Sequence, residues 1–258
     1  MKKADYRHIA LSYDQGRPLL EQNIDLWLGQ VSRFAKMPEG ARVLDLGCGT
    51  GRFSIPMAAK LRFRATGADS SKEMLDKARE KDTGKLVKWD LEDAQHLTYP
   101  DESFDVVFMS HLLHHVDDAN KVLSECQRIL ATPGVILIRY GAIEQIREDI
   151  VHTFFPEALV IDEARTPTVA AVEQWLAEAD FHDIVSEEIV QKTFETGEEH
   201  LNAAKLRGTS VLTMISQEAF EKGIRDLTKY IEDNPGNPWL LHDRETLTAG
   251  YKVSDRTQ

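Results

Sequence analysis

A doubly wound α/β domain on a mostly parallel sheet is the fold the sequence predicts, and three features predict it. Between residues 41 and 140, short β-branched or apolar runs alternate with longer amphipathic stretches, as they do when crossover helices wrap a parallel sheet. The first run leads into Gly47, Gly49 and Gly51, where a buried strand must turn tightly into a helix. The chain has 258 residues, 42% of them hydrophobic, which suffices for one sizeable core and not for several.

Taken in order, residues 6–37 carry Ile9, Leu19, Leu20, Ile24, Leu26, Trp27, Leu28 and Val31, so part of this stretch is an amphipathic helix that covers the core. Strands are expected at 42–46, 65–68, 86–89, 104–109 and 135–139, mostly short apolar runs suited to burial on both faces. Ser70-Ser71-Lys72-Glu73 offers a serine with a glutamate three residues on, a capping box ahead of Met74, Leu75 and Ala78. Asp117 and Asp118 open a further helix through Val122, Leu123, Cys126, Ile129 and Leu130, with Pro133-Gly134 as its stop. Residues 142–155 read as helix, Pro156 and Pro167 as a connection, 169–179 as helix and 184–190 as strand. Residues 201–231 read as one more helix ended by Asn234-Pro235-Gly236-Asn237-Pro238, before a strand at 246–253. The chain divides into an N-terminal helical cover (1–38), a core (39–196), a helical insertion (197–238) and a last strand with its tail (239–258).

Charge and cysteine content narrow the functions. With 31 Lys and Arg against 43 Asp and Glu the net charge is −12, and no dense basic block offsets it, so nucleic-acid binding is disfavoured. Cys48 and Cys126 stand far apart with no zinc or disulfide spacing, which reads as a reduced, cytoplasmic protein, and no metal site is expected. Neither a leader-type apolar region nor a membrane-length apolar run is present in the sequence.

The glycine loop is the motif that carries chemistry. Its spacing, G-x-G-x-G preceded by Asp45, differs from the G-x-G-x-x-G of a diphosphate-binding loop, since Arg52 takes the third-glycine position. An acid beside the loop repels a diphosphate and suits a cationic ligand. Asp69 ends the second strand about 20 residues on, where a carboxylate can accept from both hydroxyls of a ribose or cap the helix that follows. Asp93, with Asp90 as a competing candidate, is placed to accept from the exocyclic amine of an adenine.

Several motifs in order (Asp45-Leu46-Gly47-Cys48-Gly49-Thr50-Gly51, Asp69, residues 92–97, Pro100-Asp101-Glu102-Ser103-Phe104-Asp105, residues 110–116, and Arg128-Ile129-Leu130-Ala131-Thr132-Pro133-Gly134) resemble the class I S-adenosylmethionine-dependent methyltransferases, type 11-like small-molecule branch. The resemblance covers about residues 13–181. It implies a seven-stranded sheet with an antiparallel last strand, and S-adenosylmethionine over the carboxyl ends of the first strands. It implies that Gly47, Gly49 and Gly51 admit the methionine moiety near Asp45 and that Asp69 holds the ribose. Asp93 and Ala94 would then face the adenine, with Ser70 and Met74 nearby, Ser110 under the sulfonium side, and Tyr13 and Arg17 closing over the carboxylate. The sequence departs from the family at Ala131-Thr132-Pro133-Gly134-Val135 and at Asp180-Phe181, which concerns loop geometry.

The activity so implied is methyl transfer to a small acceptor by in-line displacement, with His114 a candidate general base among His111, His114 and His115. The N-terminal helix and the 197–238 insertion are candidate covers for the acceptor, the insertion equally a dimer surface, leaving monomer or homodimer open. Phe154, Phe155 and Trp175 read as core. A non-catalytic S-adenosylmethionine-binding protein and, less favoured, a nicotinamide-dependent oxidoreductase are the alternatives.

Overall fold

The computed structural model describes residues 19–234 and 241–254. Seven strands, β1 (Arg42–Leu46), β2 (Arg64–Asp69), β3 (Val87–Leu91), β4 (Phe104–Ser110), β5 (Leu130–Tyr140), β6 (His182–Phe194) and β7 (Leu241–Lys252), form one sheet in the order β3-β2-β1-β4-β5-β7-β6. The first five pair in parallel, while β7 runs antiparallel to both β5 and β6. This is the predicted doubly wound sheet with its antiparallel last strand.

Alternation along the strands sends side chains to two cores. Leu44, Leu46, Val107, Met109, Ile136 and Ile138 face one layer, where helices α4 (Ala119–Ile129) and α8 (Val169–Glu178) bury Val122, Leu123, Cys126, Val172 and Leu176. Val43, Val106, Phe108, Val135 and Leu137 face the other, against Trp27, Leu28 and Val31 of α1 (Glu21–Ala35) and Met57 of α2 (Ser54–Lys60). Helix α3 (Lys72–Lys81) crosses from β2 to β3. A third apolar cluster lies outside the sheet. It joins α6 (Val151–Phe154), α7 (Pro156–Arg165), α9 (Gly197–Lys205), a 3-10 turn (Ser210–Thr213) and α10 (Gln217–Asp233) around Phe155 and Leu212. Phe154 and Phe155 are buried there, and Trp175 packs at the edge of the first core, so all three are core residues.

Several local expectations are corrected. The cap of α3 is Ser71, whose hydroxyl accepts the Met74 N–H at 3.2 Å, rather than Ser70. Helix α4, capped by Asp118, ends at Ile129, and β5 already starts at Leu130, so Pro133-Gly134 sits within the strand. A register shift between Phe104 and Val106 of β4 absorbs the extra residues. Residues 142–155 break into α5 (Ile143–Ile146) and α6, because Asp149 takes the Val151 N–H and starts a new turn. Pro156 opens α7 instead of a connection, at the first helical position where its missing N–H costs nothing. The 201–231 stretch is α9, the 3-10 turn and α10, with Thr196 and Ser216 as separate caps. No helix among the described residues is long and apolar enough to cross a membrane.

Candidate active site

The glycine loop is stapled to the end of β2. The N–H groups of Gly47 and Cys48 both donate to the Ala68 carbonyl, at 2.8 and 3.0 Å. Gly49 N–H donates to one Asp69 oxygen at 2.8 Å, and Ser71 N–H donates to the other at the same distance. The three glycines lie at φ 73°, 53° and 77°, in the left-handed region where a side chain is strained. Their surroundings differ. A Cβ on Gly51 would stand 2.5 Å from the Trp89 ring and one on Gly47 2.9 Å from Leu112, whereas a Cβ on Gly49 would meet nothing within 4 Å. Gly51 thus serves packing, and Gly49 leaves bare backbone beside open space.

Asp45 lies under the loop, buried, with its carboxylate accepting the Ser54 hydroxyl at 2.5 Å. Burial pushes its pKa up to about 7, against the opposing hydrogen bond from Ser54. Asp69 is also raised by burial, partly offset by its bonds from Ser71 and Gly49. Beyond these two N–H bonds a carboxylate still has lone pairs for two hydroxyl donors.

In front of the loop opens a crevice of about 370 Å³ that brings together Gly47, Asp69, Ser70, Asp93 and Ala94 of the predicted set, with Leu46, Leu112 and His115. Asp45, Gly49, Gly51, Met74 and Ser110 are not part of its lining. Met74 is buried and Tyr13 and Arg17 lie outside the described residues. The Gln95 N–H, with His96 beside it, holds the Asp93 carboxyl below the usual carboxylate range. Asp90 is turned to Lys88 and the Tyr99 hydroxyl and is not part of the crevice lining. With Glu92 and Asp117 the lining holds four carboxylates, and among the described residues no lysine or arginine.

A second cavity, also about 370 Å³, lies between the sheet end and the helices of the third cluster. The 110–116 segment separates the two spaces: Leu112 and His115 line the crevice, His111 and His114 the second cavity. The rings of His114 and His115 lie 3.9 Å apart.

Two polar groups that the sequence reading did not single out organise this cavity. Arg139, 3% exposed, lies over the Trp27 ring and donates to Ser110 Oγ at 3.0 Å and to Glu245 Oε1 at 3.2 Å. Gln191 is bonded from one side by Trp27 Nε1 at 2.7 Å and from the other by Arg139 at 3.3 Å. The second group is His152–Asp162–Arg165, with His152 Nε2 3.2 Å from Asp162 and Arg165 gripping the other oxygen at 2.8 and 2.9 Å. Burial opposes charge on His152, but the bond to Asp162 and the nearby Asp149 carry its pKa upward; burial alone pushes His200, on the same cavity wall, down to about 4. The one sequence signal was a lone charge in Val135-Ile136-Leu137-Ile138-Arg139-Tyr140.

Residues 44–138 match the family described as a methyltransferase domain. The Ubiquinone/menaquinone biosynthesis C-methyltransferase UbiE of Desulfotalea psychrophila is 35% identical over 128 residues, 49% of this chain and 52% of that protein. The chain thus spans about half the length of the curated relatives it matches. A crystal structure of a putative methyltransferase from an antibiotic biosynthesis pathway of Anabaena variabilis superposes with a TM-score of 0.75 at 21% identity, covering 91% of this chain and 98% of that one. Phosphoethanolamine N-methyltransferase 2 of Haemonchus contortus, solved with S-adenosyl-L-methionine, gives 0.65 at 23% identity, over 95% and 57%. The molecule has the class I methyltransferase fold, and its 44–138 segment matches the methyltransferase-domain family.

Proposed function

We propose that this chain transfers a methyl group from S-adenosylmethionine to a small acceptor held in the second cavity. The observation that carries the reading is the pair of cavities on either side of the 110–116 segment, the first rich in carboxylates. The crevice suits a cationic adenosyl compound: four acids attract a sulfonium and an ammonium, while a diphosphate would meet only like charge. That disfavours the nicotinamide dinucleotide reading. The second cavity favours an enzyme over a non-catalytic binder, since binding the donor alone needs no second compartment.

When bound, S-adenosylmethionine supplies a methyl group already activated on a sulfonium. The chain's task is to position and to exclude water. Asp69, oriented by Gly49 and Ser71, accepts the ribose hydroxyls. Asp93 and Ala94 face the adenine, with Ser70 and Met74 beside them. Gly47 and Gly49 let the methionine moiety approach the backbone, Gly51 packs the loop against Trp89, Asp45 supports that loop from beneath, and Ser110 supports the sulfonium side. Tyr13 and Arg17 complete the set at the carboxylate. On the acceptor side His114 is one imidazole placed to take a proton.

Calorimetry with S-adenosylhomocysteine tests the reading: the intact chain takes it up, and Asp69→Asn weakens uptake roughly 10- to 100-fold, the worth of charged hydrogen bonds to a diol. Well-folded protein that takes up none ends the proposal.

A further inference from the structure

Resting on that function, we propose that the second cavity takes a small molecule with a protonated amine on an apolar body, and that Asp149 is the group that recognises the ammonium. Four carboxylates line this cavity, Glu148, Asp149, Asp162 and Glu245. Three of them are matched by an arginine: Glu148 is paired with Arg244, Asp162 with Arg165 at 2.8 Å, and Glu245 with Arg139 at 3.2 Å, with His111 at 3.1 Å. Asp149 has no arginine or lysine partner among the described residues, so the wall carries one anion more than its ion pairs neutralise.

The backbone fixes Asp149 in the break between α5 and α6. Its N–H donates to the Ile146 carbonyl at 3.0 Å, its carbonyl accepts the His152 N–H at 3.1 Å, and its Oδ1 accepts the Val151 N–H at 2.9 Å. Oδ2 accepts no hydrogen bond among the described residues. The residue is exposed, but into a space walled by protein rather than into bulk water. Burial in these walls pushes its carboxyl pKa up against the Val151 N–H and His152, and Asp162 and Glu245 add to the rise. Capping a four-residue helix does not require this. Asn or Ser accepts the same N–H without bringing a charge into an enclosed space. A cation that arrives with the ligand supplies what Asp149 lacks, and its ammonium offsets the cost of burying the carboxylate.

The rest of the wall selects what the ammonium is attached to. Ile146, Ile150, Val151, Val211 and Leu212 present aliphatic surface, and Phe194 stacks on His200 with ring centroids 5.0 Å apart. Burial pushes the His200 pKa down to about 4, so this ring pair is uncharged at neutral pH. Thr193 Oγ1, buried in the same wall, has no hydrogen-bond partner among the described residues and is a second acceptor for an N–H. A phosphate or carboxylate meets the wrong field here, since both lining arginines are already held by acids.

The test uses three probes with one apolar body, 2-phenylethylamine, 2-phenylethanol and phenylacetate, titrated by calorimetry into the full chain saturated with S-adenosylhomocysteine. At about pH 8 an alkyl ammonium stays protonated and a carboxylate stays ionised. The amine binds roughly 10- to 100-fold tighter than the alcohol, the worth of a charged hydrogen bond, and phenylacetate binds weakest. Asp149→Asn, which keeps the cap, brings the amine down to the level of the alcohol and leaves the alcohol unchanged. Glu148→Gln removes the same net charge and leaves the preference in place. An amine bound no tighter than the alcohol overturns the proposal, as does no uptake of any probe, an Asp149→Asn protein that still prefers the amine, or an equal loss of preference in Glu148→Gln. If Asp149→Asn does not fold, Asp149→Ser, also a capping residue, replaces it, and the ratio in the unaltered chain decides by itself. An unaltered chain that takes up no S-adenosylhomocysteine removes the underlying function and this inference with it. One that does, and shows no preference among the probes, removes this inference alone.

Discussion

Gly49 and Gly51 share a positive φ and have opposite surroundings, which separates ligand access from packing at single-residue resolution. Gly51→Ala drives a methyl into Trp89, and with the backbone strain costs about 2 kcal/mol or more in urea unfolding. Gly49→Ala carries the strain alone, about 1 kcal/mol, yet on the proposed function it loses S-adenosylhomocysteine affinity disproportionately. Asp45 supplies a pH prediction. Its folded pKa of about 7 lies above the unfolded value of 3.8, so the folded state holds the extra proton and stability falls as pH rises across that window. Asp69 is shifted in the same direction and adds to the slope. Asp45→Asn, which can keep an oxygen toward Ser54, flattens the slope between about pH 4 and 7 by up to ~4 kcal/mol, read from urea midpoints at a series of pH values.

Among the elements, α3 shows how a cap is decided by geometry. Ser71→Ala removes the bond to Met74 N–H and costs about 1 kcal/mol, while Ser70→Ala, exposed and one residue too early, changes unfolding by less than about 0.5 kcal/mol. Pattern made the parallel strands legible because most are apolar on both faces, and β1 is found at the predicted 42–46. It failed at 142–155, where apolar spacing continues across two four-residue helices and only the side chain of Asp149 interrupts them. It failed again at Pro156, since proline reads alike as a breaker and as a first helical residue. The lining of the crevice was largely visible because its acids follow strand ends. Arg139, His152 and Glu245 were not, because their meaning depends on partners far away in sequence.

At the scale of the whole molecule, the helices of the third cluster form a cap with its own core, seated beside the sheet rather than within it. Phe155, fully buried, packs against Gly223 so closely that a Cβ there would reach 2.2 Å from its ring. Phe155→Ala is expected to cost about 3–5 kcal/mol, and hydrogen exchange should place the increased opening in α6, α7, α9 and α10 while β1 to β4 stay protected. Uniform loss of protection would show instead that cap and sheet open as one unit. On the proposed function such a variant retains uptake of S-adenosylhomocysteine and loses turnover.

The strand order has one more consequence. Every described residue lining the crevice comes from the stretch between Leu46 and Asp117, but Glu245 reaches His111 only once β7 has slotted between β5 and β6. During synthesis, the crevice can therefore take shape long before the His111–Glu245 contact exists. A growing polypeptide closes the acid-lined crevice first and the far edge of its sheet afterwards.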